Sequence, residues 1–376
     1  VGRPGATGLS LHPPTVTIQA HSGDACSIDT KQCATAVLET LAGRMQAMIS
    51  FGLDRLSTKI AAAVAVFGFA VALAGASPAI AQEKVRVALP TKTYYPTIIS
   101  ETALRQGLFK KEGIDAELTV YRGGAEAFEA VAAGAADITV GSTAIVAAGI
   151  KKGVKTKAIS GAGLGYRGWY LMVKPESPIK SAAELEGKKV GITSAGSATD
   201  ILARWTMADK KVKFTEVPLG GGGLVPNLLS GNVDAIVLYS PLSFKVLKDK
   251  SVRALIDYGA EVPEHLSGVW IASDKLIADK PALIQKINNA LFGAMVWLKD
   301  KSNREAAIKI ISEIDEIPLP IAEAALDGDI SYLSSTGEMK PEWVQRGLDM
   351  AKLVGMTDIA GASEIYTDKF KAVPTH

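Results

Sequence analysis

The sequence predicts an α/β protein of two lobes, each a mainly parallel sheet flanked by helices, joined by a two-strand hinge. Three observations carry this. Short apolar strands alternate with helical segments, the pattern of parallel sheets. The order strand, helix, strand, helix, Gly turn, strand occurs twice. The chain after Asp274 is then mainly helical, with no third repeat.

The first half opens on the strand Lys84-Val-Arg-Val-Ala-Leu89, and Lys189-Val-Gly-Ile-Thr193 is its counterpart. Helical segments are expected at 98–106 and 125–133, and again at 199–210 and 224–229. Ala130-Val-Ala-Ala-Gly134-Ala-Ala-Asp137-Ile-Thr-Val-Gly-Ser142 ends a helix, turns at glycine and enters a strand. Asn227-Leu-Leu-Ser-Gly231-Asn-Val-Asp234-Ala-Ile-Val-Leu-Tyr-Ser240 does the same. Crossings between the lobes are expected at 169–173 and 269–273. Beyond them, Leu283, Ile287, Leu291, Ala294 and Leu298 mark one apolar helix face. Trp343, Gly347, Met350 and Val354 mark a later helix after Pro341. These helices are expected to complete the first lobe. The resulting division is 82–170 with 272–376 as lobe one and 171–271 as lobe two.

The amino-terminal region reads differently. Arg55 and Lys59 precede an apolar run at 60–76, and Ala79-Ile80-Ala81 follows it. Positive flank, apolar middle and A-x-A exit predict a cleavable secretory signal peptide at 48–81 and a mature start at Gln82. Residues 1–47 show no periodicity and are expected to be an unstructured or non-native extension, with the true start at Met45 or Met48. Both cysteines, Cys26 and Cys33, lie in that extension. The mature chain then has no disulfide, thiolate metal site or cysteine nucleophile. Positive residues fall from 41 to 36 and acidic ones from 39 to 35 in the mature chain. No basic block points to nucleic acid or an anionic membrane. Only His265 and His376 remain, which leaves no evident metal set or Ser-His-Asp triad.

Loops at the carboxyl ends of such strands gather on one edge and bind ligands. Two edges facing each other make a cleft. The candidate ligand-binding residues there are Thr91, Lys92, Thr93, Tyr94 and Tyr95, then Gly141, Ser142 and Thr143, then Tyr239 and Ser240. Ser194, Gly196, Ser197, Ala198 and Thr199 follow a strand and open a helix. Ser197 with Asp200 has capping-box spacing. The segment reads either as a well-capped helix or as an anion seat of free N–H groups, dipole and hydroxyls. Asp200 is expected to face the backbone, since pointing inward would oppose an anion. Gly221 and Gly222, within a run of glycines, permit close approach of a ligand to the backbone. Arg122 and Arg167 are the arginines available to fork a carboxylate or sulfonate; both also read as solvated surface residues. Tyr166, Trp169 and Trp270 add aromatic surface near these loops.

Four segments are together fairly specific for one branch of a family and say little about a ligand: Leu104-x-x-Gly-Leu-Phe-Lys-Lys-Glu-Gly-Ile-Asp115, Ala133-Gly-Ala-Ala-Asp137, Leu185-x-Gly-Lys-Lys-Val-Gly-Ile192 and Leu229-Ser-Gly-Asn-Val-Asp-Ala235. With the two-lobed pattern they resemble periplasmic substrate-binding proteins of ABC importers. The branch is the nitrate/sulfonate/taurine one, which includes thiamine-pyrimidine-synthase-like binding proteins. The resemblance implies the periplasmic binding protein fold, with a ligand held by the loops at 91–95, 141–143, 194–199 and 239–241. It implies a monomeric periplasmic receptor that passes a small anionic or polar solute to an ABC permease and its ATPase. No cofactor or nucleic acid is expected. Enzymes of the wider family depend on a cysteine-rich motif, so no enzymatic activity is expected of a cysteine-free mature chain. A sensor subunit for a membrane kinase and a thiamine-precursor (pyrimidine) receptor are the alternatives. The ligand's identity stays open.

Overall fold

The computed structural model describes residues 82–370. The expected extension at 1–47, its cysteines and the expected signal peptide at 48–81 lie outside the described residues.

Strand β1 (Glu83–Leu89) alternates at its start and is buried throughout its last three residues, as a central strand must be. The following strands are β2 (Ile114–Val120), β3 (Ile138–Gly141), β4 (Thr156–Leu164), β5 (Tyr170–Val173), β6 (Lys189–Ile192), β7 (Thr215–Pro218), β8 (Ala235–Leu238), β9 (Arg253–Asp257) and β10 (Leu266–Ser273). They form two five-stranded sheets, ordered β2-β1-β3-β10-β4 and β7-β6-β8-β5-β9. Each sheet has the same plan. Its first strand is flanked by parallel neighbours. Its fourth position is antiparallel to both sides: β10 in the first sheet, β5 in the second.

The helices of seven residues or more are α1 (Tyr95–Arg105), α2 (Gly124–Ala132), α3 (Thr143–Lys151), α4 (Ala198–Lys210), α5 (Leu224–Ser230), α6 (Leu242–Lys248), α7 (Pro281–Lys299), α8 (Arg304–Asp315), α9 (Leu319–Gly328) and α10 (Pro341–Leu353). Prolines at the first turns of α7 and α10 lose no helical hydrogen bond there.

The repeated Gly-x-x-Asp pattern has a structural cause. Gly134 and Gly231 follow α2 and α5 with φ of 72° and 81°, a region open to glycine at no steric cost. Three residues later the carboxylate reaches the backbone of the sheet's first strand. Asp137 Oδ2 accepts from the Arg86 backbone N–H at 2.7 Å, and Asp234 Oδ2 accepts from that of Lys189 at 2.8 Å. The Asp137 and Asp234 N–H groups donate back to the carbonyls of the same two residues. The echo is therefore one turn, used once per lobe to lock the third strand beside the first.

The chain passes between sheets at 165–169 and again at 258–265. The passages are hydrogen-bonded to each other: Gly165 N–H donates to the His265 carbonyl and Tyr258 N–H to that of Trp169. The residues expected as crossings, 169–173 and 269–273, lie beside these passages and mostly within β5 and β10.

One apolar core joins the first sheet to α1 and the carboxyl-terminal helices. It buries Leu283, Ile287, Leu291, Ala294 and Leu298 of α7. Each fully buried aliphatic side chain contributes about 1.5–3 kcal/mol. A second core lies around β5, β6 and β8. Helix α10 does not belong to the first lobe alone. Val344 and Leu348 pack with the first sheet, whereas Met350, Ala351 and Val354 enter the second core. Its apolar residues thus face two directions along its length. Among the described residues no helix is long and apolar enough to cross a membrane.

Candidate functional site

The carboxyl ends of the parallel strands of both sheets face one another, and a cavity of about 40 Å³ lies between them. That is room for about three water-sized groups. The first sheet supplies Pro90, Thr91 and Tyr94 after β1, Gly124 after β2, and Gly141, Ser142 and Ile145 after β3. The second supplies Thr193, Gly196, Ser197, Ala198 and Thr199 after β6, and Tyr239 after β8. Val140, Trp169 and Ser267 complete the lining. None of these lining residues carries a formal charge.

The starts of α1, α2, α3 and α4 thus point at one small volume. Backbone N–H groups at a helix start lack intrahelical partners and lie at the positive end of the dipole. Two of these starts are capped by serine. Ser142 Oγ accepts from Ile145 N–H at 3.2 Å and Ser197 Oγ from Asp200 N–H at 3.3 Å. The Thr193, Ser197 and Thr199 hydroxyls form a triangle of 2.8–3.0 Å contacts. Asp200 faces the backbone as the sequence led us to expect: its Oδ2 accepts from Gly196 N–H at 2.7 Å.

An aromatic wall closes the other side. Tyr94 meets Trp169 edge-on at 5.6 Å and Tyr239 at 5.2 Å, and Trp169 lies 4.9 Å from Tyr239. Burial pushes the Tyr239 hydroxyl up to about 12, against the pull of its bond to Thr91. The Tyr94 hydroxyl is also pushed well up by burial. Both therefore stay protonated at neutral pH and act as donors.

The two lobes touch around this cavity. Tyr239 Oη donates to Thr91 Oγ1 at 3.2 Å, and Gly221 N–H donates to the Arg122 carbonyl at 3.0 Å. Gly123 is pressed against Ser194: a Cβ on Gly123 would lie 2.5 Å from Ser194 Oγ.

The predicted residues divide into those at the cavity and those away from it. Thr91, Tyr94, Gly141, Ser142, Gly196, Ser197, Ala198, Thr199 and Tyr239 line the cavity. Lys92, Arg122, Gly221 and Gly222 line an open groove of about 310 Å³ at its rim, where Lys92 pairs with Glu316. Arg167 and Tyr95 line a smaller cavity of about 20 Å³, and the Arg167 guanidinium sits 3.9 Å over the Tyr332 ring. Thr143 Oγ1 donates to the Leu266 carbonyl. Ser194 Oγ is buried with no hydrogen-bond partner among the described residues, and Ser240 is buried. Thr93 is partly buried and lines none of these cavities. The cationic candidates thus stand outside the cavity. Pro90, Gly124, Val140, Ile145, Trp169, Thr193 and Ser267 also line the cavity and were not among the candidate residues. Ser267 arrives on the late strand β10, and the apolar residues look like ordinary core. Trp169 had a readable signal, its place in the aromatic cluster.

His265 lines none of these cavities. It is buried, its Nδ1 lies 2.8 Å from the Pro263 carbonyl, and burial lowers its pKa. Among the described residues no group of three His, Cys, Asp or Glu side chains is placed to hold a metal.

Residues 98–302 match the family model described as NMT1/THI5 like. The chain belongs to the NMT1/THI5-like family. A Brucella abortus protein named as a binding protein is 26% identical over 204 residues, 52% of this chain and 60% of that protein. The chain thus spans about 60% of the length of the first curated relatives it matches. The 2'-hydroxybiphenyl-2-sulfinate desulfinase of Rhodococcus erythropolis is 23% identical over 194 residues, 37% of this chain and 52% of that enzyme. The fold is that of the alkanesulfonate-binding protein SsuA from Xanthomonas axonopodis pv. citri bound to MOPS. The TM-score is 0.64 at 16% identity, covering 75% of this chain and 98% of SsuA. This NMT1/THI5-like chain therefore has the two-lobed fold of a periplasmic binding protein.

Proposed function

We propose that this protein is a periplasmic solute-binding receptor that captures a small organic anion between its lobes and delivers it to an ABC-type permease and its ATPase. The observation that carries the reading is the small cavity between the lobes, lined by uncharged donors from both. Four helix starts and the Ser142, Thr193, Ser197 and Thr199 hydroxyls favour one negative charge. The wall of Tyr94, Trp169 and Tyr239 suits an apolar or flat organic portion. The volume matches a single small oxyanion head group better than a large molecule buried whole. The sulfonate-binding SsuA, sharing the fold, makes sulfonates the leading class, with nitrate and carboxylates next.

Binding without turnover is the better reading despite the desulfinase relative. The ionisable groups lining the cavity are the hydroxyls of Tyr94 and Tyr239, both pushed away from neutral pH. Neither suits a general base there. The lobe contacts fit hinge closure, in which a ligand touching both lobes favours the closed state.

A melting-temperature panel of short alkanesulfonates, benzoate, nitrate and a pyrimidine tests this, followed by chemical analysis of the recovered ligand. An upward shift with an anion returned intact is expected. Stabilisation by cations alone, or conversion of the ligand, would refute the reading.

A further inference from the structure

Directly behind the α4 start stand three ionisable side chains that the cavity itself does not use. Asp200 is 3% exposed. Its Oδ2 is taken by Gly196 N–H and its Oδ1 accepts from Arg204 Nε at 3.0 Å. Arg204 Nε also lies 3.6 Å from Glu216 Oε2 on β7. The other Glu216 oxygen, Oε1, is buried with no hydrogen-bond partner among the described residues.

A buried carboxylate oxygen without a donor is costly. A proton on Glu216 lowers that cost, because the charge is gone. The charge count agrees. One guanidinium balances one carboxylate, so Asp200, Arg204 and a protonated Glu216 are together neutral. Ionising Glu216 leaves them at minus one.

We propose that this set couples anion capture to the proton held by Glu216. With Glu216 neutral, the α4 start presents its N–H groups to an anion. With Glu216 ionised, a net negative charge sits behind Gly196–Thr199 and the anion is held more weakly. The inference rests on the receptor reading above and adds a regulation to it.

The charged groups acting on Glu216 are Asp200 and Arg204. Burial is the first cause pushing its carboxyl up to about 8; Asp200 acts in the same sense and Arg204 opposes both. A bound anion disfavours ionisation of Glu216 further. Affinity is therefore full below about pH 7 and falls as pH rises through about 8. Near that pH, binding draws part of a proton from the buffer. For a unit charge on the order of 10 Å from the anion, at an effective dielectric of roughly 25–50, the loss is roughly three- to tenfold.

The test is calorimetric titration of the protein with butane-1-sulfonate, benzoate and nitrate at pH 6.5 to 9.5, where each probe keeps one charge. For a probe that binds, the expected result is affinity level to about pH 7 and roughly three- to tenfold weaker at pH 9.5. Glu216→Gln should carry the low-pH affinity through to pH 9.5. In the unaltered protein at pH 8, the binding heat should change with the ionisation heat of the buffer, a readout independent of how the variant folds. Level affinity with no proton uptake in the unaltered protein would overturn the coupling and leave the receptor reading intact. An equal fall in Glu216→Gln would also overturn it. No binding of any probe at any pH would overturn the receptor reading and this inference together.

Discussion

Replacing Gly123 by alanine should block closure while leaving each lobe folded. Gly123 has φ −170° and ψ 170°, extended backbone that alanine adopts freely. The obstacle is the other lobe. The new Cβ would stand 2.5 Å from Ser194 Oγ, 3.0 Å from Ser194 Cβ and 3.4 Å from Thr193 Cβ. The hydroxyl can swing away, but the Ser194 Cβ is fixed to the chain. Such overpacking costs about 1–3 kcal/mol. Here it falls on the closed arrangement alone, so anion affinity should drop about 5- to 150-fold. Calorimetry with the best anion from the panel measures the drop, and solution scattering should show a less compact liganded state. Alanine is also a poorer helix N-cap than glycine, so a small loss of ligand-free stability is expected. Ser194→Gly separates the two effects. It removes both clashing atoms, and among the described residues the Ser194 hydroxyl makes no hydrogen bond that would be lost. The double variant should recover most of the affinity but none of the capping. Undiminished affinity in Gly123→Ala, with the same compaction as wild type, would refute lobe closure at this contact.

Tyr239→Phe removes the hydrogen bond to Thr91 between the lobes; affinity should weaken about 2- to 12-fold by calorimetry, the effect of about 0.5–1.5 kcal/mol. Asp137→Ala should destabilise the first lobe by about 1–3 kcal/mol in urea unfolding, because it leaves the Arg86 N–H and guanidinium without their acceptor. Asp315 supplies a pH test. Its carboxyl is pushed up to about 8 by burial, against the pull of Lys92, and neither oxygen has a hydrogen-bond partner among the described residues. The folded state then keeps a proton that the unfolded chain releases near the ordinary aspartate value of about 3.9. This contribution to stability is full below about pH 4 and lost as pH rises towards about 8. Asp315→Asn should thus be more stable than wild type at pH 8.5 by about 1–3 kcal/mol, and nearly equal at pH 4. Parallel melting curves across that range would count against a buried neutral acid.

The doubled sheet was legible because its marker is chemical. A glycine with positive φ followed three residues on by an aspartate recurs in both halves, and each aspartate takes the first strand's N–H. Half the cavity was legible for a topological reason: Thr91, Ser142, Ser197 and Tyr239 all follow strands whose ends meet. Ser267 was not, because β10 joins the first sheet only after the chain has built the second. The cations stand off the cavity for a physical reason. Lys92, Arg122 and Arg167 have side chains long enough to reach solvent, Glu316 or the Tyr332 ring from loops beside the cavity. Nor does sequence spacing reveal that α10 divides its apolar residues between two cores, since both sets fall on plausible helix positions.

In the proposed receptor, the lack of a charged side chain at the cavity bears on release. An arginine on one lobe would keep its hold on an anion after the lobes part. Donors shared between α1 to α3 on one lobe and α4 on the other hold it fully only when the lobes meet. Opening removes the Thr193, Ser197 and Thr199 hydroxyls together with the α4 dipole, leaving the anion on roughly half its donors in a wetter site. The affinity of the two states then differs steeply, and that difference sets how far a ligand can shift the equilibrium towards closure. The same arrangement makes binding sensitive to small charge changes behind α4, since no fixed cation dominates the field there. A single introduced arginine tests the argument. Ile145→Arg would place a cation at the cavity wall. It should slow anion dissociation in the open state and reduce the gain in affinity on closure, read as tighter binding with less compaction in scattering. An arginine variant that compacts as fully as wild type on binding would show that closure does not depend on neutral donors.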